Sequence, residues 1–185
     1  MTKRLFKNIR LFWPLTKSLQ TGLLVATGMA GYMSARCPVH NLSTMLGLFI
    51  SLLASIARST ILNMWFDRDI DAKMERTKAR PLVSGQIKPK EALWVGLIIS
   101  FLGVSLALFM NIGFGIIIFA GLFFDVVVYT IWLKRRTCWS IVWGGISGGM
   151  PILAGRFLGI GSLDWIGVVL ALGILLWILT HILTF

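Results

Sequence analysis

Long apolar runs separated by short polar connections set the pattern of this chain. The runs lie roughly at 18–35, 43–66, 92–110, 112–133, 138–155 and 165–185. Each reaches or approaches the about 20 largely apolar residues that a helix needs to cross a bilayer. The pattern predicts an all-α, polytopic transmembrane helix bundle of six helices, forming a single membrane-embedded domain over 1–185. The third and fourth runs meet near Asn111, which predicts a tight antiparallel hairpin there.

Composition agrees: 57% of the residues are hydrophobic and 14% charged, against about 25% charged in soluble domains. The net charge of +11 could suggest a nucleic-acid partner, but its distribution points to the lipid bilayer instead. Fifteen of the 18 Lys and Arg residues fall in three places. They are the N-terminal stretch (Lys3, Arg4, Lys7, Arg10, Lys17), the connection after the second run (Arg68, Lys73, Arg76, Lys78, Arg80, Lys88, Lys90) and the one after the fourth (Lys134, Arg135, Arg136). The opposite connections hold Arg36 and Arg156, and Arg58 lies inside the second run. Positive residues concentrate on the cytoplasmic side of membrane proteins, so the N-terminus and the connection after Asp71 are expected there. Trp13, Trp65, Trp94, Trp132 and Trp139 fall near the same interface, as an aromatic belt would. No small-residue cleavage site separates the charged N-terminus from the first run, so no signal peptide is expected. Cys37 and Cys138 lie toward opposite faces and are not expected to pair.

Where the second run meets its basic connection the chain reads Asn63-Met64-Trp65-Phe66-Asp67-Arg68-Asp69-Ile70-Asp71. Residues four apart share a helix face, so Asn63, Asp67 and Asp71 form one oxygen-bearing stripe and Asp69 points elsewhere. The two carboxylates repel unless a cation compensates. Mg²⁺ suits them, as a hard ion commonly held by one or two carboxylates together with substrate phosphates. A solvated helix end of mixed charge explains the stripe alone equally well. Lys73, Arg76 and Arg80 follow within nine residues of Asp71, and carboxylates for a metal beside cations for phosphate make a candidate diphosphate site.

The stretch from Asn63 to Gly85 resembles the signature of the intramembrane UbiA prenyltransferases. The wording D-R-D-I-D-A-K-M-x-R-T-x-x-R-P-L-V-x-G-Q-I from Asp67 is most similar to the protoheme IX farnesyltransferases, or haem O synthases, as are Tyr129-Thr130-x-x-Leu133-Lys134-Arg135-Arg136-Thr137 and the glycine-rich run that follows. The resemblance implies a Mg²⁺-dependent enzyme that moves a farnesyl group from farnesyl diphosphate to a vinyl group of haem B. It implies Asn63, Asp67 and Asp71 as metal-holding residues and Lys73, Arg76, Arg80, Lys134 and Arg135 as diphosphate-binding ones. Tyr129 joins Asp67 and Asp71 as a catalytic candidate, its ring facing an allylic cation. The setting implied is the cytoplasmic membrane of a prokaryote, the active site facing the cytoplasm, with haem-modifying or oxidase-assembly proteins downstream. The family fold has nine helices, with a second polar substrate-binding region after the sixth. The chain is therefore expected to be incomplete at its C-terminus.

Other residues leave alternatives open. Gly144/Gly148 and Gly145/Gly149 are overlapping small-residue pairs of the kind that let membrane helices approach closely, and Pro151 should kink that helix. Packing explains them, and so does a thin helix that makes room for a bulky acceptor. His181 matches the histidine of the family's W-x-x-P-H-F run, with Thr180 in place of the proline, and joins Gly144 and Gly148 as a candidate acceptor-pocket residue. Arg58 and Asp125 lie about 13 Å deep, equal depths that allow them to pair. An aromatic acceptor, as in quinone biosynthesis, fits the aspartate stripe equally. A non-enzymatic transport or assembly subunit would instead carry its polar groups near the midplane. With both termini cytoplasmic, Cys138 should resist an impermeant thiol reagent applied from outside; labelling of cysteines introduced at both termini from outside would overturn the topology.

Overall fold

The computed structural model of the protein describes residues 18–35, 41–75 and 77–184. Arg76, Cys37, Arg36, Trp13 and the basic N-terminal residues named above lie outside the described residues. Among the described residues six helices follow one another: α1 Ser18–Met33, α2 Leu42–Asp71, α3 Pro89–Met110, α4 Ile112–Leu133, α5 Ser140–Ile160 and α6 Trp165–Thr184. Five of them, α2 to α6, are long and apolar enough to cross a membrane. The described part of α1 has 16 residues, against the about 20 that a full crossing takes. Phe101, Phe109 and Trp165 are more than 70% exposed. Such apolar outer surface is stable facing acyl chains rather than water, and the protein is an integral membrane protein.

Local sequence sets the helix ends. Asn41 caps α2, its side-chain oxygen accepting from the Ser43 N–H at 3.0 Å, which satisfies a backbone donor that the helix leaves orphaned. Asn111 ends α3 in extended conformation and caps α4 through the Phe114 N–H at 3.1 Å, giving the expected hairpin with a one-residue hinge. α5 runs to Ile160, stopped by Gly161 in the left-handed conformation (φ 85°). The fifth run was expected to end near 155. Its extension places Arg156 in the last turns of α5, where it is buried, rather than in a loop. Arg156 donates to Asp164 at 2.7–3.0 Å and to the Ser34 carbonyl at 2.7 Å. One guanidinium thus ties α1, α5 and the turn into α6. Pro151 lies inside α5, which continues helically through it.

α5 is the central strut, packing against α1, α4 and α6, while α2 packs against α1, α3 and α4. An apolar core of Val25, Leu48, Leu52, Phe114, Ile118 and Ala154 joins α1, α2, α4 and α5. A smaller core at the other end sets Leu82 and Ile87 of the 72–88 connection against Ile61, Met64 and Ala92. The connection is therefore folded onto the bundle, and it turns at Gly85, whose φ of 76° favours glycine.

The tightest helix contact is not the one that the glycine run suggested. α1 lies against α5 backbone to backbone. A Cβ added at Gly155 would strike the Gly28 carbonyl oxygen, and one at Gly31 would strike the Ile152 carbonyl oxygen. Small residues allow this approach in a bilayer, where van der Waals packing rather than the hydrophobic effect joins helices. Gly155→Leu should therefore force α1 and α5 apart and lower the unfolding midpoint in detergent, an overpacking cost of about 1–3 kcal/mol or more. Gly22→Ala, where an added Cβ meets nothing within 4 Å, should leave that midpoint unchanged or raise it.

Candidate active site

The predicted stripe is built as a helix face. α2 continues past its apolar run to Asp71, so Asn63, Asp67 and Asp71 fall one turn apart. All three border one cavity of about 790 Å³, together with Arg80, Tyr129, Lys134, Gly144, Gly148 and His181. Asp67 and Asp71 are buried, 7% and 6% exposed, which is costly for carboxylates without partners. Each has a cation. The Lys134 Nζ donates to Asp67 Oδ2, and the Arg80 guanidinium donates to Asp71 Oδ2 at 2.5 Å. Thr77, itself buried, donates its hydroxyl to the Asp71 carbonyl at 2.8 Å and pins the start of the connection that delivers Arg80.

Asp69 leaves the stripe as its position requires. It is exposed and takes a two-pronged contact from Arg135 at 2.7 and 2.9 Å. Arg135 also donates to the Phe66 carbonyl at 2.8 Å and lies over the Phe66 ring. Its hydrogen bonds to Asp69 hold its guanidinium pKa above the ordinary value. Arg135 thus latches the end of α2 to the α4–α5 turn and does not border the cavity. Lys73 is exposed and off the cavity wall as well, so of the four expected diphosphate cations among the described residues the structure brings Arg80 and Lys134 to the cavity.

Lys134 reaches Asp67 because α4 changes register. From Phe123 to Leu133 the helix is π-helical, and the Lys134 N–H donates to the Tyr129 carbonyl, five residues back, at 2.8 Å. An α-helix turns about 100° per residue, so nine residues would carry Lys134 about half a turn away from Asp125. With hydrogen bonds to the fifth residue a turn takes about 4.4 residues, and nine residues complete about two turns. Asp125, Tyr129 and Lys134 consequently share the face toward the cavity. The β-branched run Val126-Val127-Val128 and Thr130 weaken the preference for the α register. The Tyr129 ring stands 5.5 Å from the Lys134 Nζ and within 3.2–3.6 Å of where a Gly144 side chain would begin.

Thr130 and Ser147 were not singled out from sequence, yet both belong to the site. Thr130 is fully buried, and its hydroxyl lies 2.7 Å from Asn63 Oδ1 and 2.9 Å from the Asp125 carbonyl oxygen, positioned to donate to either. The Asn63 amide donates to Asp125 Oδ2 at 2.9 Å, and the Ser147 hydroxyl lies 3.5 Å from Asp125 Oδ1. A hydroxyl inside an apolar run was the available signal for each. Asp125, whose depth along its helix allows it to pair with Arg58, accepts from the Asn63 amide, while the Arg58 Nε–H donates to the Ser55 carbonyl at 2.9 Å. Of the glycines, Gly148 borders the cavity but also faces Ile178 of α6, so packing and cavity lining meet at one residue. His181 stacks on Trp177, ring centroids 5.5 Å apart.

A hard divalent ion fits these residues. Asp67 Oδ1 is buried without a hydrogen bond, with the Arg135 guanidinium 4.0 Å away. Among the described residues no group of three or more His, Cys, Asp or Glu side chains is gathered to cage a metal. Two carboxylates and an amide oxygen match an ion that keeps water or phosphate ligands.

Residues 24–185 match the UbiA prenyltransferase family. The chain is 42% identical over 167 residues to a protoheme IX farnesyltransferase of Archaeoglobus fulgidus, covering 90% of this chain and 58% of that protein. It is 41% identical over 168 residues to one of Korarchaeum cryptofilum, covering 91% and 56%. The chain thus spans less than two thirds of the length of these relatives. Its fold superposes on a digeranylgeranylglyceryl phosphate synthase with a TM-score of 0.82 at 26% identity, covering 93% of this chain and 60% of that one. It shares the fold of a UbiA homologue from Archaeoglobus fulgidus, solved with DMAPP and Mg²⁺, with a TM-score of 0.73 at 20% identity, covering 88% and 58%. A match over nearly the whole chain, with the aspartate stripe and its cations meeting in one cavity, makes this chain a member of the UbiA prenyltransferase family.

Proposed function

We propose that the chain carries the diphosphate-handling site of an intramembrane prenyltransferase that moves a farnesyl group from farnesyl diphosphate to a vinyl group of haem B, giving haem O. The observation that carries this reading is the convergence of Asn63, Asp67 and Asp71 with Lys134 and Arg80 on one cavity between apolar helices. Haem B as acceptor rests on the similarity to proteins named protoheme IX farnesyltransferase.

In the reaction the allylic carbon–oxygen bond breaks and its electron pair leaves with diphosphate. Asn63, Asp67 and Asp71 would hold Mg²⁺, which would supply positive charge for the departing diphosphate. Lys134 and Arg80 neutralise the carboxylates in the structure described here. With substrate present they turn to phosphate oxygens, and preorganised charge of this kind is usually the largest catalytic contribution. Lys73 and Arg76 add positive charge to the same connection. The Tyr129 ring faces the allylic carbon as it becomes cationic; the π pair of the acceptor's vinyl group forms the new carbon–carbon bond there, and the vinyl carbon left cationic beside the macrocycle takes up water and releases a proton, which gives the hydroxyl-bearing side chain of the product. Gly144, Gly148 and His181 border the space for the acceptor, the prenyl tail lies among apolar helices, and the aspartate end faces the cytoplasm. Haem-modifying or oxidase-assembly proteins would take the product onward.

Farnesyl transfer to haem B, followed by mass spectrometry on protein in lipid nanodiscs, tests the reading. Asp67→Ala and Asp71→Ala should each slow transfer on the order of 10²-fold or more. Asp69→Ala should cost far less and act on stability, because it frees Arg135 from its latch. Equal losses at Asp69 and Asp67 would refute the single-face assignment. Transfer to 4-hydroxybenzoate with none to haem B would move the protein to an aromatic acceptor. Gly148→Leu should weaken haem B binding more than farnesyl diphosphate binding; loss of both together would mean that the contact with Ile178 dominates.

A further inference from the structure

Arg58 is a charged group on the cavity wall that the diphosphate chemistry does not use. It is 0% exposed, lies on the wall of the cavity and sits nine residues before Asp67, about 13 Å deeper along α2. Its Nε is committed to the Ser55 carbonyl at 2.9 Å, whereas both terminal guanidinium nitrogens lack a hydrogen-bond partner, as does the neighbouring Ser55 Oγ. Ionisable residues within a membrane span are expensive and functional by default, and an unpaired buried charge is worse still. Asp125, whose field reaches Arg58, already takes the Asn63 amide at 2.9 Å and lies beside Ser147 at 3.5 Å. The diphosphate end has its own cations in Lys134 and Arg80. What remains for Arg58 is an anion delivered into the deep end of the cavity. A planar fork of N–H donors, fixed by its Nε, suits a carboxylate.

We propose that Arg58 binds a carboxylate of the prenyl acceptor at the deep end of the cavity. The inference rests on the prenyltransferase reading above and deepens it. Haem B bears two propionate groups on the half of the macrocycle away from its vinyl groups. A carboxylate held at Arg58 would therefore direct the opposite edge toward the diphosphate end. An aromatic acid such as 4-hydroxybenzoate carries the same chemistry on a shorter frame.

The test is a binding titration of the protein in lipid nanodiscs, read by the Soret band, with haem B and with its dimethyl ester. 4-Hydroxybenzoate is titrated separately by calorimetry. The wild-type chain should bind haem B about tenfold or more tightly than the ester. Arg58→Met should bring that ratio close to one, and Arg58→Lys should keep part of it. The affinity for farnesyl diphosphate with Mg²⁺, measured on the same samples, should be unchanged, which separates a lost carboxylate contact from a misfolded helix. Equal wild-type binding of acid and ester would overturn the inference without any variant and leave the haem reading standing. So would an Arg58→Met chain that keeps the wild-type ratio. Arg58-dependent binding of 4-hydroxybenzoate with no binding of haem B would support the carboxylate subsite and remove haem B as acceptor. No binding of either acid would overturn both.

Discussion

Two carboxylates buried on one helix face are costly in an apolar bundle unless positive charge is brought to them. Asp67 and Asp71 impose that condition, and much of the polar end of the protein follows from it. Lys134 comes from the end of α4 and Arg80 from the connection after α2, so compensation joins two chain segments that have no local reason to meet. The connection itself is drawn onto the bundle by Leu82 and Ile87. Thr77 fixes its first turn. A segment that composition alone would describe as a charged loop thus becomes one wall of a cavity.

The change of register in α4 answers the same condition from the other side. A regular α-helix would send Asp125 and Lys134 to opposite faces. The π register puts both toward α2 and leaves Thr130 between them, its hydroxyl beside both the Asp125 carbonyl and the Asn63 amide oxygen. Asn63 is thereby fixed in orientation, with its amide on Asp125 and its oxygen toward Thr130. Departures from α geometry inside helices cluster at functional sites because they re-aim side chains at a modest cost. Here the departure spans eleven residues and aligns Asp125, Tyr129 and Lys134 on one face.

The apolar part of the bundle obeys a different constraint. Lipid offers no hydrophobic incentive for one helix to choose another, so proximity has to come from shape. Gly28, Gly31 and Gly155 let α1 and α5 touch along their backbones, and Arg156 binds the same pair at one end through Ser34 and Asp164. α5 is held on that side, which leaves its other faces, with Gly144, Ser147 and Gly148, to border the cavity.

The fold class, the order of the helices, the Asn111 hairpin and the aspartate stripe were all legible in the sequence. Each depends on residues close together in the chain: hydropathy over about 20 positions, a cap, or a spacing of four. The loop cations were legible as a group, but not which of them turn inward. Arg135 goes to Asp69 and Lys73 stays exposed, while Arg80 and Lys134 take the carboxylates. That choice depends on where α4 ends relative to α2, a distance between segments more than 60 residues apart. The π register was equally hidden, because hydropathy averages over the small angular change that separates it from an α-helix. So was the partner of Asp125: depth along a span follows from counting residues, but the side on which a group emerges follows only from how the helices are turned against one another. Sequence determined which groups would have to be compensated inside the membrane, and tertiary structure decided which partners compensate them, because charge neutralisation and close packing act between helices and not along them.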